Sequence, residues 1–152
     1  MFRGSSTLSV DVKGRIAIPS RYRERLTTIC EGFLVLTPNP LDRCLWLYPL
    51  PEWEVIEAKL ADLSDFDKQS RRAKQMMRGY ANDCRMDGQG RILLPQPLRD
   101  YAGLVKQTVM LGQGNKFELW EETAWNQQRD QWLKQLGKDS DAPTEALRAL
   151  SL

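Results

Sequence analysis

An aspartate and an arginine four residues apart, with a glycine just before the arginine, occur twice in this chain. Asp11-Val12-Lys13-Gly14-Arg15-Ile16-Ala17-Ile18-Pro19 returns 76 residues later as Asp87-Gly88-Gln89-Gly90-Arg91-Ile92-Leu93-Leu94-Pro95. Five of the nine positions are identical, whereas unrelated windows share roughly one residue or fewer at ordinary amino-acid frequencies. The chain is therefore a tandem duplication, and the repeated element reads as a short hairpin with an arginine just past its turn. A guanidinium held on a rigid hairpin is suited to contact a phosphate or a guanine edge with two hydrogen bonds. Lys13 adds a second cation beside Arg15. A second reading also fits the spacing: Asp11 and Arg15 pair across the turn and hold it in register. Copy two keeps Asp87 and Arg91, which favours the structural part, but replaces Lys13 with Gln89, which favours a contact role for copy one. The two readings are compatible.

Other chemistry is poorly provided for. The chain contains no histidine, which removes the usual general base, the Ser-His and Cys-His nucleophile pairs and the commonest metal ligand. Cys30, Cys44 and Cys84 are widely spaced without a C-x-x-C pair and read as inert or buried thiols. The acidic residues form no oxygen-ligand loop, and Gly88-Gln89-Gly90 and Gly112-Gln113-Gly114 sit in hairpin turns rather than at strand-to-helix phosphate loops. No catalytic residue, metal, cofactor or small-molecule substrate is expected, and the chain does not read as an enzyme. Apolar runs such as Gly32–Leu36 are far too short to cross a bilayer. The residues Met1–Ser6 lack the apolar stretch of a secretory signal, so a cytoplasmic location is expected.

The formal net charge is only +2, from 22 basic and 20 acidic residues, but its distribution is uneven. Residues 1–26 hold six basic residues against two acidic ones, while the matching stretch 77–102 holds four against three. The halves share a pattern and differ in charge.

The elements that must carry these residues repeat as well. Thr7–Val10 alternates as a half-buried strand, Lys13-Gly14 makes the turn, and Arg15–Ile18 alternates as the return strand. Pro19 ends that strand and suits the first turn of a helix over Ser20–Leu26. A second hairpin pairs Leu34–Thr37 with Cys44–Tyr48, and its counterpart pairs Val109–Leu111 with Lys116–Trp120. Tyr48 and Trp53 align with Trp120 and Trp125 at an offset of 72, so copy one carries four extra residues between its first helix and its last strand. Trp53, Ile56 and Leu60 form one helical stripe, and Trp125, Trp132, Leu133 and Leu136 another. The five tryptophans fall at core spacing. Asp67–Asn82 reads as a further helix with Ala73, Met76, Met77 and Tyr80 inward. Its basic residues Lys68–Arg78 read as a solvated or subunit-contacting face, and Arg21, Arg23 and Arg25 around Glu24 as a solvated one. The segment from Gly137 to Pro143 reads as a loop, and Thr144–Leu152 as a short helix or frayed tail.

A duplicated strand–turn–strand–helix carrying Asp-x-x-Gly-Arg-Ile-x-[Ile/Leu]-Pro resembles the swapped-hairpin DNA-binding modules of the SpoVT/AbrB type. Two copies in a chain opening Met1-Phe2-Arg3-Gly4, with Leu47-Tyr48-Pro49-Leu50-Pro51-Glu52-Trp53-Glu54 and Asn115-Lys116-Phe117-Glu118-Leu119-Trp120, resemble the MraZ family over essentially the whole length. The resemblance implies an α+β, β-rich fold in which two tandem AbrB-like halves interleave their hairpins into one pseudo-twofold unit with flanking helices. The expected divisions are residues 1–63 for copy one, 64–82 for a bridging helix, 83–137 for copy two and 138–152 for the tail. It further implies a bacterial, nucleoid-associated transcription regulator, mainly a repressor. The implied target is repeated short boxes of double-stranded DNA upstream of its own gene and the adjacent division and cell-wall cluster, bound by a ring-shaped homo-oligomer.

In that family the Asp-x-x-x-Arg motif faces DNA, which maps to Asp11 and Arg15, with Asp87 and Arg91 in copy two. Arg15 and Lys13 are then base or phosphate contacts, Arg3 a further phosphate contact, and Asp11 positions the turn. The expectation is that copy one reads DNA while copy two mainly completes the fold and the ring. Swapped-hairpin domains also serve to dimerise and neutralise a partner protein, so a protein-interaction module is the alternative.

Overall fold

The computed structural model describes residues 1–136, 138 and 143–151. They form two compact units, Met1–Glu122 and Thr123–Leu152. In chain order the elements are β1 (Ser5–Ser9), β2 (Arg15–Ala17), α1 (Ser20–Cys30), β3 (Phe33–Pro38), β4 (Leu45–Pro49), α2 (Leu50–Ala61), α3 (Lys68–Met77), β5 (Asn82–Arg85), β6 (Arg91–Leu93), α4 (Gln96–Ala102), β7 (Gln107–Gly112), β8 (Phe117–Glu121), α5 (Glu122–Gln135) and α6 (Glu145–Ala149). The fold is α+β, built on antiparallel sheets.

Neither β1 nor β5 pairs with the strand that follows its turn. β1 pairs with β7 of copy two, β5 pairs with β3 of copy one, and β2 and β6 pair with each other across the copies. The result is a six-stranded sheet in the order β1-β7-β8-β4-β3-β5 and a separate two-stranded ribbon β2-β6. Exchanging β1 with β5, β7 with β3 and β8 with β4 returns the same order, so a pseudo-twofold axis passes between β4 and β8. It also passes through the ribbon, where Ile16 faces Ile92, and through the central pair Trp46 and Glu118. The first local hairpin read in each copy is thus replaced by an interleaved arrangement, while the second, β3 with β4 and β7 with β8, forms as read. Alternation identifies a strand's faces but carries no information on its partner.

The register locates the four extra residues of copy one. Leu34 faces Pro49 in the first hairpin, and Thr108 faces Glu121 in the second. Two of the four therefore precede β3 and two lie in the loop between β3 and β4. Glu31 and Gly103, both in the left-handed region, end α1 and α4.

The ribbon turns one face into the main core. Ile16, Ile18, Ile92 and Leu94 are buried with Tyr22 and Leu26 of α1, Leu98 and Ala102 of α4, and the sheet residues Leu34, Leu36, Leu45, Leu47, Phe117 and Leu119. The other sheet face buries Val35 and Tyr48 against Trp53 and Leu60 of α2 and Met77 of α3. With apolar groups on both faces, β3 is a near-continuous hydrophobic run. The Thr37 hydroxyl donates to the Met77 carbonyl at 2.7 Å and ties β3 to the end of α3.

Several details differ from the sequence reading. The bridging helix begins one residue after Asp67, which caps it by accepting from the Ser70 N–H, and ends at Met77. Asn82 starts a strand because β3 offers it a ladder, and Tyr80 is exposed. Trp53 and Trp120 are buried, but Trp132 and Leu133 of α5, and Leu136 just past its end, are exposed. Helical spacing sets a stripe without stating what covers it. In the second unit, Trp125 and Trp132 meet edge to face at 5.8 Å, and the Thr144 side chain caps α6. Most of the loop read over Gly137–Pro143, and Leu152, lie outside the described residues. Cys44 is buried and Cys30 and Cys84 half-buried, and burial pushes the Cys44 and Cys84 thiols up to about 12.

Candidate nucleic-acid interface

Each turn is held by its aspartate. The Asp11 N–H donates to the Arg15 carbonyl at 2.9 Å and the Gly14 N–H to the Asp11 carbonyl at 3.0 Å. One Asp11 carboxylate oxygen accepts the N–H groups of Lys13 and Arg15, both at 2.9 Å, and the other accepts Arg15 Nε at 2.8 Å. Gly14 has φ of +85°, a conformation that costs glycine little and other residues more. The backbone N–H of Arg15 above all, then its guanidinium and the Lys13 N–H, hold the Asp11 carboxyl below its ordinary range. Copy two repeats the arrangement with Asp87, Gln89, Gly90 and Arg91, and the Arg91 N–H lowers the Asp87 carboxyl first among the same causes.

Both readings of the Asp–Arg pair therefore have a place in the geometry. Nε is committed to the turn, while the Arg15 side chain remains 26% exposed and that of Arg91 32%. The two terminal nitrogens of each guanidinium still provide the fork that recognises phosphate or guanine.

Pairing across the copies places both arginines on one surface. Arg15 faces Leu93 and Ala17 faces Arg91 in the ribbon. Ile16 and Ile92 point into the core, so Arg15, Ala17, Arg91 and Leu93 stand on the outward face by alternation. Arg15 and Arg91 are diagonal neighbours on that face, roughly 7–8 Å apart. The turns lie at the ribbon's two ends, fastened by the Leu94 N–H to the Gly14 carbonyl at 2.8 Å and the Ile18 N–H to the Gly90 carbonyl at 2.7 Å. Four strand steps separate these fastenings, about 13 Å at the usual rise. At the tip of the first turn Val12 is fully exposed beside exposed Lys13, and the second presents Gly88 and Gln89.

Arg3 is not brought to this cluster. It precedes β1, at the end of that strand away from the turn, and its carbonyl accepts the Tyr22 hydroxyl. In the series Arg21, Arg23 and Arg25, the first and last are exposed as expected but are engaged with the N-terminal segment, and Arg23 is half-buried. Arg21 donates to Ser6 Oγ at 2.7 Å and lies over the Tyr22 ring, while Arg25 donates to the Met1 carbonyl at 3.0 Å and lies over Phe2. Helix spacing reports angle about the helix axis and is silent on what the N-terminal strand brings alongside.

Arg23 and Arg99 are the residues that sequence reasoning missed. Arg23 Nε donates to the Ile18 carbonyl at 2.6 Å, and Arg99 Nε to the Leu94 carbonyl at 2.9 Å. A signal was present: at the offset of 76, Arg23 falls on Arg99, whereas Arg21 and Arg25 fall on Pro97 and Tyr101. Among the described residues no group of cysteine and acidic side chains is placed to hold a metal ion, and no helix is long and apolar enough to cross a membrane.

A family model described as "MraZ protein, putative antitoxin-like" matches this chain twice, over residues 1–76 and 77–148. Many relatives match, among them three that carry the name transcriptional regulator MraZ. The one from Thioalkalivibrio sulfidiphilus is 53% identical over 152 residues, covering all of both chains. That from Halorhodospira halophila is 50% identical over 153 residues, again covering all of both. That from Shewanella oneidensis is 52% identical over 152 residues, with the same full coverage.

Proposed function

The chain belongs to the MraZ family, and from that premise we propose that it is a bacterial DNA-binding transcription regulator, not an enzyme. The observation that carries the reading is the ribbon. A two-stranded β-ribbon is one of the two elements that the major groove of B-DNA admits, and this one presents Arg15 and Arg91 outward between two turns. Arg15 and Lys13 make the principal base or phosphate contacts, Arg91 a supplementary one, and Asp11 and Asp87 aim the guanidinium groups. Arg3, apart from this cluster, is at most an outlying phosphate contact.

A few cations per protomer neutralise only a few phosphates, too few for tight binding at physiological salt. Assembly of protomers into a ring on repeated short boxes multiplies such contacts through effective concentration. On this reading a chain of net charge +2 binds promoter DNA as a cytoplasmic, nucleoid-associated homo-oligomer. It acts mainly as a repressor of its own promoter and the adjacent division and cell-wall cluster.

The test is a gel-shift titration with DNA from upstream of its own gene beside a scrambled control, comparing wild type with Arg15→Ala. Specific binding by wild type that falls steeply with salt, and is lost in the variant, supports the reading. Equal binding of both DNAs, or none, would favour a partner-neutralising protein module on the same fold, whose apolar interface responds weakly to salt.

A further inference from the structure

Arg99 belongs to copy two, yet its guanidinium lies on the turn of copy one. A Cβ placed on Gly14 would stand 2.7 Å from Arg99 Cζ and 2.9 Å from Nε and one terminal nitrogen, so the planar group covers the glycine closely. Its Nε holds the Leu94 carbonyl at 2.9 Å, and the Leu94 N–H holds the Gly14 carbonyl at 2.8 Å. Strand end, turn glycine and guanidinium therefore form one closed contact between the copies. The pseudo-twofold mate is built the same way. A Cβ on Gly90 would stand 2.7 Å from Arg23 Cζ, Arg23 Nε holds the Ile18 carbonyl at 2.6 Å, and the Ile18 N–H holds the Gly90 carbonyl at 2.7 Å.

The turn beneath Arg99 has little else to steady it. Val12 is fully exposed and Lys13 exposed, and the described bonds of the four-residue turn, apart from the Leu94 fastening, run within residues 11–15. A flat, half-buried guanidinium on the glycine peptide limits how far the turn swings about the ribbon end, and with it the directions of Lys13 and Arg15. Lysine offers a point charge without a face and cannot do this.

We propose that Arg99 and Arg23 are positioning residues for DNA recognition, each presetting the turn of the opposite copy. Copy two then governs the turn carrying Lys13 and Arg15 whether or not it touches DNA itself. The proposal rests on the DNA-binding reading above.

The experiment uses full-length Arg99→Met, which keeps the stem, together with Arg99→Lys and Arg23→Met. Amide hydrogen exchange is followed across residues 11–15 and 87–91, and the affinity and salt slope are measured on the upstream DNA. Arg99→Met should speed exchange at 11–15 and leave 87–91 unchanged, and Arg23→Met should do the reverse. Affinity in Arg99→Met should fall about tenfold, the scale of one lost charged hydrogen bond, with an unchanged salt slope and no rescue by lysine. Unchanged exchange in both Met variants would overturn the clamp. A salt slope reduced by about one unit, with rescue by lysine, would make Arg99 a direct phosphate contact and overturn the positioning role. If wild type binds no DNA, the positioning role falls with the DNA reading, while the exchange data still decide the clamp on their own.

Discussion

In the first turn the Asp11 carboxylate accepts two backbone N–H groups at 2.9 Å and Arg15 Nε at 2.8 Å; in the second, Asp87 accepts the same three groups, each at 2.9 Å. Both glycines have positive φ, +85° and +76°, and both lie under an arginine from the other copy. What differs is the tip, Val12-Lys13 against Gly88-Gln89. Within the turns, the kept aspartate, glycine and arginine make the shape, and the two changed residues form the exposed tip. Identity between the copies marks the scaffold, and difference marks where the two ends present unlike chemistry.

The largest expected effect tests whether the ends are unequal in use. Arg15→Ala should abolish specific DNA binding, since a contact worth about 1–3 kcal/mol is lost in every protomer of the proposed assembly. Folding and assembly should survive, because Asp11 keeps its two backbone donors and an exposed ion pair contributes about 1 kcal/mol or less. Arg91→Ala should weaken binding less in the same titration. Equal losses would break the comparison, and loss of the oligomer in Arg15→Ala would return the pair to a purely structural part.

Next comes the aspartate. Asp11→Ala strips the acceptor from three donors and should cost about tenfold in affinity through a loosened turn, on the scale of one or two hydrogen bonds. Asp87→Ala should cost less. Matching losses by fluorescence anisotropy would show that both turns must be set before either binds.

Exchanging the tips is milder. Lys13→Gln should reduce the salt slope of binding by about 0.9, and Gln89→Lys should raise it by a similar amount. A slope unmoved by either change would remove both tips from the phosphate backbone.

The smallest effect concerns acidity and should be the same at both ends. The Asp11 and Asp87 carboxyls sit below the ordinary value of 3.8. A group lowered in the folded state stabilises above its unfolded pKa and loses that contribution as pH falls through the folded value. The turns should therefore keep their geometry from neutral pH down to about 4 and loosen only below it. An NMR titration of the two side chains checks this, and a midpoint above 3.8 at either would separate the turns.

How far these features could be read beforehand follows from the kind of information each needs. Asp11, Gly14 and Arg15 act on one another within five residues, so spacing and repetition pointed to them directly. The partner of β1 lies about a hundred residues away in β7, and periodicity cannot choose it; only the family resemblance implied interleaving. Spacing puts Arg23 on a solvated face because the residue it covers, Gly90, belongs to the other copy. The apolar stripe of α5 is visible in the spacing, but its exposure at Trp132 and Leu133, and at Leu136 just beyond the helix, is a property of surroundings rather than of spacing.

The pairing of β2 with β6 inside one chain also bears on how such a surface changes over generations. In a dimer of separate identical chains, any replacement at a turn tip appears at both ends of the ribbon together. Here Lys13 and Gln89 are encoded at different positions of the same gene product. One end is free to drift, specialise or fall silent while the other stays under selection, and no mixture of mismatched partners ever has to be sorted.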